Sequence, residues 1–284
     1  MRIRVGVLPS LVTLGNLVCG FGAICVTAKA HIYWGAAVPD PLRGYKVFAV
    51  AGSLILLAMI FDVLDGRIAR MANLTSEFGA QLDSLCDMVT FGVAPAYLVF
   101  LEASSRTEIF RHPRYAWGCA ALYVICAALR LARFNVETKP DEDSHLYFRG
   151  LPSPAAAGVI ASLAIFDWRS REEADWAARA MPFASIVLGM LMVSRLRYIH
   201  LIGLLFRERK PFVYLAVLVF AVFTVIAFSQ HFEYVLLVGF VGYALSGPIS
   251  YPWTRARRRR KAAEAAAEQG EPSSELEEMD DSIF

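Results

Sequence analysis

Charge is scarce in this chain. Only 19% of its 284 residues are Asp, Glu, Lys or Arg, 57% are hydrophobic, and the mean hydropathy is +0.47. Soluble domains carry roughly 25% charge, so an ordinary soluble globule is excluded, and so is a wholly disordered chain. The formal net charge of +2 is far from the basic surplus that draws nucleic acid, and no nucleic-acid partner is expected. Cysteine is also sparse. Cys19, Cys25, Cys86, Cys119 and Cys126 form no C-x-x-C pair, which argues against a zinc site or a disulfide framework. They read as small apolar side chains in helices. The five histidines are scattered and none neighbours the acidic cluster described below, so no catalytic histidine is expected. No internal repeat is visible. The first apolar run is too long, and has no small-residue cleavage site, to read as a signal peptide.

Long hydrophobic runs are abundant instead. A helix needs about 20 residues to cross ~30 Å of hydrocarbon, and eight candidate spans meet that need: 8–28, 46–70, 80–102, 113–133, 151–167, 181–197, 211–230 and 234–254. An all-α polytopic membrane protein is therefore expected. With the N-terminus in the cytoplasm, 19 of the 28 Lys and Arg fall on the inner side. The positive-inside rule then places both termini in the cytoplasm. The run RARRRRK at 255–261 is expected to lie on anionic headgroups, and the Ala-, Glu- and Ser-rich stretch 262–284 to be a disordered acidic tail.

Four runs, 47–61, 88–101, 115–129 and 181–194, are uncharged for only 14 or 15 residues. Helices of normal span length must therefore carry ionisable groups below the membrane surface, where such groups face water or one another. Long Arg side chains at helix ends can snorkel; short aspartates cannot.

Those aspartates lie in FDVLDGRIARMANLTSEFGAQLDSLCDMVTFG, 61–92. Asp62 and Asp65 are spaced i, i+3, and Asp83 and Asp87 i, i+4, so each pair stacks on one helix face. At about 100° per residue, Gly66 and Ala69 share the first face and Gly79 the second. A short connection near 72–78 makes the two helices antiparallel neighbours, with four carboxylates converging at their cytoplasmic end. Such a set must be neutralised by protons or cations. Oxygen-only ligands suit Mg²⁺ or Mn²⁺, and four carboxylates match two divalent ions, an arrangement suited to holding a diphosphate. Arg70 lies at the same level and can pair with phosphate oxygens. Gly66, Ala69 and Gly79 either permit close helix packing or leave room for a flat ligand.

The pattern D-x-x-D-G-x-x-A-R-x8-G-x-x-x-D-x-x-x-D is complete at Asp62, Asp65, Gly66, Ala69, Arg70, Gly79, Asp83 and Asp87. It resembles the signature of the CDP-alcohol phosphotransferases. The resemblance implies a six-helix catalytic core over 1–210, an added hairpin of two spans over 211–254, and the basic and acidic segment 255–284. It further implies a two-metal site on the four aspartates, Asp87 as general base, and small residues that accommodate the cytidine. In the first span, LPSLVTLGN resembles the family's nucleotide-contacting helix start, with Thr13 and Asn16 as its polar candidates. The segments 78–96, 128–135, 148–158 and 191–198 resemble the bacterial members that use serine. They imply a homodimer in a bacterial inner membrane, acting on CDP-diacylglycerol and L-serine among membrane lipids. For the serine carboxylate, Arg133 with Asn135 is the favoured pair, with Arg130 and Arg195 as further cations at helix ends. Ser153 in GLPSP reads as shaping a helix start.

Other readings stay open on residues alone. A sister enzyme accepting glycerol phosphate or inositol phosphate would want a denser basic cluster. A membrane prenyltransferase would set its acidic motifs farther apart. A transporter would want polar residues through the full membrane depth.

Overall fold

The computed structural model describes residues 7–35, 41–71, 77–106, 112–137, 147–170, 175–199 and 231–269. Helices α1 (Val7–Ala28), α2 (Ala30–Gly35) and α3 (Pro41–Met71) come first. Next is one long rod of α4 (Glu77–Asp87), a π-helical turn (Met88–Val93) and α5 (Ala94–Arg106). After it come α6 (Pro113–Glu137), strand β1 (Tyr147–Arg149), α7 (Ser153–Ser170), α8 (Asp175–Val193), strand β2 (Arg197–Ile199) and α9 (Phe232–Gln269). The chain divides into two compact units, Met1–Ala244 and Leu245–Phe284.

Among the described residues, six helices are long and apolar enough to cross a membrane: Ser10–Tyr33, Leu42–Gly66, Glu77–Arg106, Arg114–Val136, Trp176–Val193 and Phe232–Tyr251. The chain is a multi-pass, all-α membrane protein. The six correspond to the expected first, second, third, fourth, sixth and eighth spans. The seventh, 211–230, lies outside the described residues. The fifth forms α7, which is not among the six: it is only 18 residues long, carries Asp167, Trp168 and Arg169 in its last turn, and is half Ala, Gly and Ser. Its environment explains this: 13 of its 18 residues are buried, so it meets neighbouring helices and not lipid. Outward-facing helices carry large apolar side chains in the open, such as Val18 at 69% and Val238 at 70% exposure. In water that surface would be a liability; in a bilayer it is the solvated face.

Small residues let the core helices approach. A Cβ on Gly52 of α3 would sit 2.7 Å from the Ala161 carbonyl oxygen of α7. The π-helical turn is braced by Tyr123 of α6, whose buried hydroxyl donates to the Phe91 carbonyl at 3.1 Å. Two of the segments singled out by resemblance pair with each other: Tyr147–Arg149 and Arg197–Ile199 form a two-stranded antiparallel ribbon. Gly150 ends its first strand at φ +81°, a left-handed conformation that glycine adopts without Cβ strain. Its N–H donates to the Leu196 carbonyl at 2.8 Å. Tyr198 of the ribbon is buried and donates to the Ala244 carbonyl at 3.0 Å.

About 25 Å along the rod from Asp87, at 1.5 Å per residue, lies a buried ionic group. Arg106 bonds to Asp167 of α7, to Glu102 at 3.2 Å and to the Tyr45 hydroxyl of α3 at 3.1 Å. The expected end of the third span at 102 is extended to Arg106 as a result. One further expectation is corrected. Helix α9 runs to Gln269, eight residues into the stretch expected to be unstructured, since KAAEAAAEQ is rich in strong helix formers. Residues 270–284 lie outside the described ones.

Candidate metal centre and active site

The last turns of α3 present Asp62 and Asp65, and α4 presents Asp83 and Asp87. Carboxylate oxygens of Asp62, Asp83 and Asp87 lie within 4.8 Å of one another. Oxygens sharing one octahedral divalent ion at about 2.1 Å stand roughly 3 Å apart when adjacent, so small side-chain adjustments suffice for a common ion. Asp65 falls outside this triplet. It is 6% exposed, lies within hydrogen-bonding reach of the Thr13 hydroxyl, and is close enough to act electrostatically on Asp62 and Asp83.

The set fits hard divalent ions. Among the described residues, buried Oδ1 of Asp83 and Oδ2 of Asp65 have no hydrogen-bond partner, and an unpaired buried oxygen carries a desolvation penalty that a bound cation removes. Beside Asp65, a Cβ on Gly66 would meet nothing within 4 Å. No described neighbour packs closely against this glycine. Gly79 is half-buried in the first turn of α4. Ala69 and Arg70 lie in the last turn of α3, but their side chains lie outside the described ones.

The expectation that the two acid-bearing helices are direct neighbours needs amending. Helix α1 is their common partner: it packs along α3 and touches both α4 and the π-helical turn, whereas α3 and α4 approach each other closely at few points. The carboxylates thus face one another across a space walled on a third side by α1. Thr13 and Asn16, read from sequence as nucleotide contacts, sit on that wall and are both buried. The Asn16 amide donates to Asp87 Oδ1 at 3.1 Å.

The cations expected for the acceptor separate. Arg133 donates to the Val193 carbonyl at 3.0 Å, and Asn135 pairs with Ser84 at 3.0 Å. These two do not converge on a common point with the acids. Arg130 is within electrostatic reach of Asp87 and Asp62 and donates to the Ser153 hydroxyl at 2.6 Å. Arg195 is exposed. Ser153, read from sequence as a helix-start residue only, is wholly buried and holds Arg130 in place. Its flanking prolines signalled the helix start and masked the polar role.

Comparison with known proteins agrees with this geometry. Residues 6–191 match the family model for CDP-alcohol phosphatidyltransferase. The chain is 36% identical over 151 residues to the CDP-diacylglycerol–serine O-phosphatidyltransferase of Helicobacter pylori, covering 53% of this chain and 61% of that protein. It is 33% identical over 199 residues to the protein of that name from Methanocaldococcus jannaschii, covering 70% and 83% respectively. It is 30% identical over 193 residues to that of Bacillus subtilis, covering 68% and 90%. The match thus spans less than two thirds of the Helicobacter protein but most of the other two. With the family model covering well over half of its length and the acid pattern complete, the chain belongs to the CDP-alcohol phosphatidyltransferase family.

Proposed function

We propose that this chain transfers the phosphatidyl group of CDP-diacylglycerol to the hydroxyl of L-serine, giving phosphatidylserine and CMP. The observation that carries the reading is the convergence of Asp62, Asp83 and Asp87 within 4.8 Å, in a chain whose relatives are named for that reaction. The acids sit at the end of membrane-spanning rods, where acyl chains stay in the bilayer while a headgroup reaches water.

Asp62, Asp65, Asp83 and Asp87 would hold two divalent ions, Mg²⁺ or Mn²⁺, which neutralise the diphosphate and the departing CMP. Asp87 takes the proton from the serine hydroxyl as that oxygen attacks the β-phosphorus, and the bond from phosphorus to the CMP oxygen breaks. Thr13, Gly66, Ala69, Arg70 and Gly79 serve the nucleotide and phosphates. Arg130, nearest the acids of the acceptor candidates, pairs with the serine carboxylate through guanidinium donors not used on Ser153; Arg133 and Asn135 are secondary. Both termini lie in the cytoplasm of a bacterial inner membrane, and the chain works as a homodimer that covers part of the outward apolar surface.

The test is CMP release by the purified full chain supplied with CDP-diacylglycerol and, in separate reactions, serine, glycerol phosphate or inositol phosphate. Release with serine alone is expected. Release only with a phosphorylated acceptor replaces serine as the substrate, and no release with any acceptor overturns the assignment. Direct attack also predicts that no labelled phosphatidyl-enzyme can be trapped.

A further inference from the structure

We infer that Asn16 is a positioning residue for Asp87: its amide fixes which carboxylate oxygen Asp87 turns toward the other acids, and α1 is thereby a working wall of the centre. The inference rests on the proposed transfer reaction.

Three observations converge. Asn16 is fully buried, and its Nδ2 donates to Asp87 Oδ1 at 3.1 Å. One oxygen of Asp87 is thus engaged from the α1 side. The height of Asn16 is set in turn by the helix opposite, because the Thr90 hydroxyl donates to the Asn16 carbonyl at 3.3 Å. One turn further along α1, a Cβ on Gly20 would stand 2.3 Å from Thr90 Oγ1 and 2.8 Å from its Cα. Only glycine lets α1 come this near, so α1 and the π-helical turn that follows Asp87 are in register at two points. The amide's direction is also determined: reversed, Asn16 Oδ1 would face a carboxylate oxygen and repel it. In the observed orientation Asn16 Oδ1 is buried without a partner among the described residues. That cost is accepted to keep the donor on Asp87.

The chemistry of the side chain matters. A lysine or arginine here would neutralise Asp87 and compete with a cation; an aspartate would add repulsion to a crowded acidic set. A neutral amide orients the carboxylate by a charge-assisted bond and leaves its charge intact. This role differs from a nucleotide contact, which would act on CDP-diacylglycerol affinity.

The experiment uses the full chain in detergent with CDP-diacylglycerol and serine, following CMP release, together with Mn²⁺ binding read from the free-Mn²⁺ electron paramagnetic resonance signal. Asn16→Ala is expected to lower kcat at least tenfold and to weaken Mn²⁺ binding severalfold, with KM for CDP-diacylglycerol changed less than threefold. Asn16→Asp, isosteric and suited to the case in which the alanine variant fails to fold, is expected to lose at least as much kcat. Unchanged kcat and Mn²⁺ binding in the folded variant overturns the positioning role and leaves the transfer reaction standing. A raised KM for CDP-diacylglycerol with kcat intact also overturns it, in favour of a nucleotide contact. Absence of CMP release from the unmodified chain overturns both this inference and the reading beneath it.

Discussion

Arg130 donates to the buried Ser153 hydroxyl at 2.6 Å, tying a C-terminal turn of α6 to the first residue of α7. A guanidinium has five donors in a rigid plane. Fixing one of them on Ser153 sets the direction of the rest, and Arg130 already lies within reach of Asp87 and Asp62. Ser153→Ala removes the anchor without removing the charge. We expect KM for serine to rise roughly tenfold, as a hydrogen bond to a charged group is worth about 1.5–3 kcal/mol, with KM for CDP-diacylglycerol nearly unchanged. Steady-state rates with serine varied at saturating CDP-diacylglycerol check this. Arg130→Lys keeps the charge but not the fork, and it should show the same pattern more strongly. Equal rises in both KM values would instead indicate a general disturbance of the site.

Asp62, Asp83 and Asp87 are expected to act as one unit. EDTA should abolish CMP release, and added Mg²⁺ or Mn²⁺ should restore it; full turnover in EDTA would remove metal from the reaction. Asp87→Asn keeps the shape of the side chain and its contact with the Asn16 wall but loses the base. The expected loss in kcat is roughly 10²–10⁴-fold, with CDP-diacylglycerol binding largely retained. Asp83→Asn should differ in emphasis, since its buried Oδ1 has no hydrogen-bond partner among the described residues and its part is metal binding rather than proton transfer. Both substitutions should weaken Mn²⁺ affinity, but Asp83→Asn should regain more of its kcat at saturating Mn²⁺, whereas Asp87→Asn should not, and a Mn²⁺ titration of kcat separates the two cases.

The acids were legible because helical spacing reports neighbours on one helix. Asp62 with Asp65, and Asp83 with Asp87, each announce a shared face. Six of the eight expected spans are long and apolar enough to cross a membrane, and the run 151–167 was legible as the helix α7. Contacts between helices leave no such periodic trace. Asn16 and Asp87 are 71 residues apart in sequence, and Arg106 and Asp167 are 61 apart. Nothing local marks either pair. The i, i+4 pair of Glu102 and Arg106 was readable, but not that both are buried, because a charge at the end of an apolar run normally reaches water. Strands Tyr147–Arg149 and Arg197–Ile199 are three residues each, too short to declare a period of two.

The group formed by Arg106, Glu102, Asp167 and Tyr45 yields a stability prediction. The side chains of Arg106, Glu102 and Asp167 are each 2% exposed or less, so the guanidinium is what compensates two buried carboxylates. Removing one partner of a buried ion pair typically costs about 3–5 kcal/mol. Arg106→Ala should therefore sharply lower the thermal unfolding temperature of the detergent-solubilised chain. Tyr45→Phe removes one neutral acceptor from the guanidinium and should cost about 1.5–3 kcal/mol. Since the group lies about 25 Å along the rod from the acids, any folded fraction of either variant should keep KM for both substrates. A change in KM without a fall in unfolding temperature would give this group a role in the site that its placement does not suggest.

A close helix-to-backbone contact in the core offers a test of packing independent of chemistry. A methyl group on Gly52 would stand 2.7 Å from a backbone oxygen of α7 at Ala161, and a backbone atom cannot swing away as a side-chain end can. Overpacking of this kind costs roughly 1–3 kcal/mol. Gly52→Ala should thus separate α3 from α7 by a few tenths of an ångström and lower the unfolding temperature. Because α3 also carries Asp62 and Asp65, and α7 begins at Ser153, the same displacement acts on both halves of the site. The expected signature is a joint fall in stability and kcat that addition of Mn²⁺ does not rescue. A fall in stability with kcat intact would instead show that the C-terminal turns of α3 are held by α1 alone.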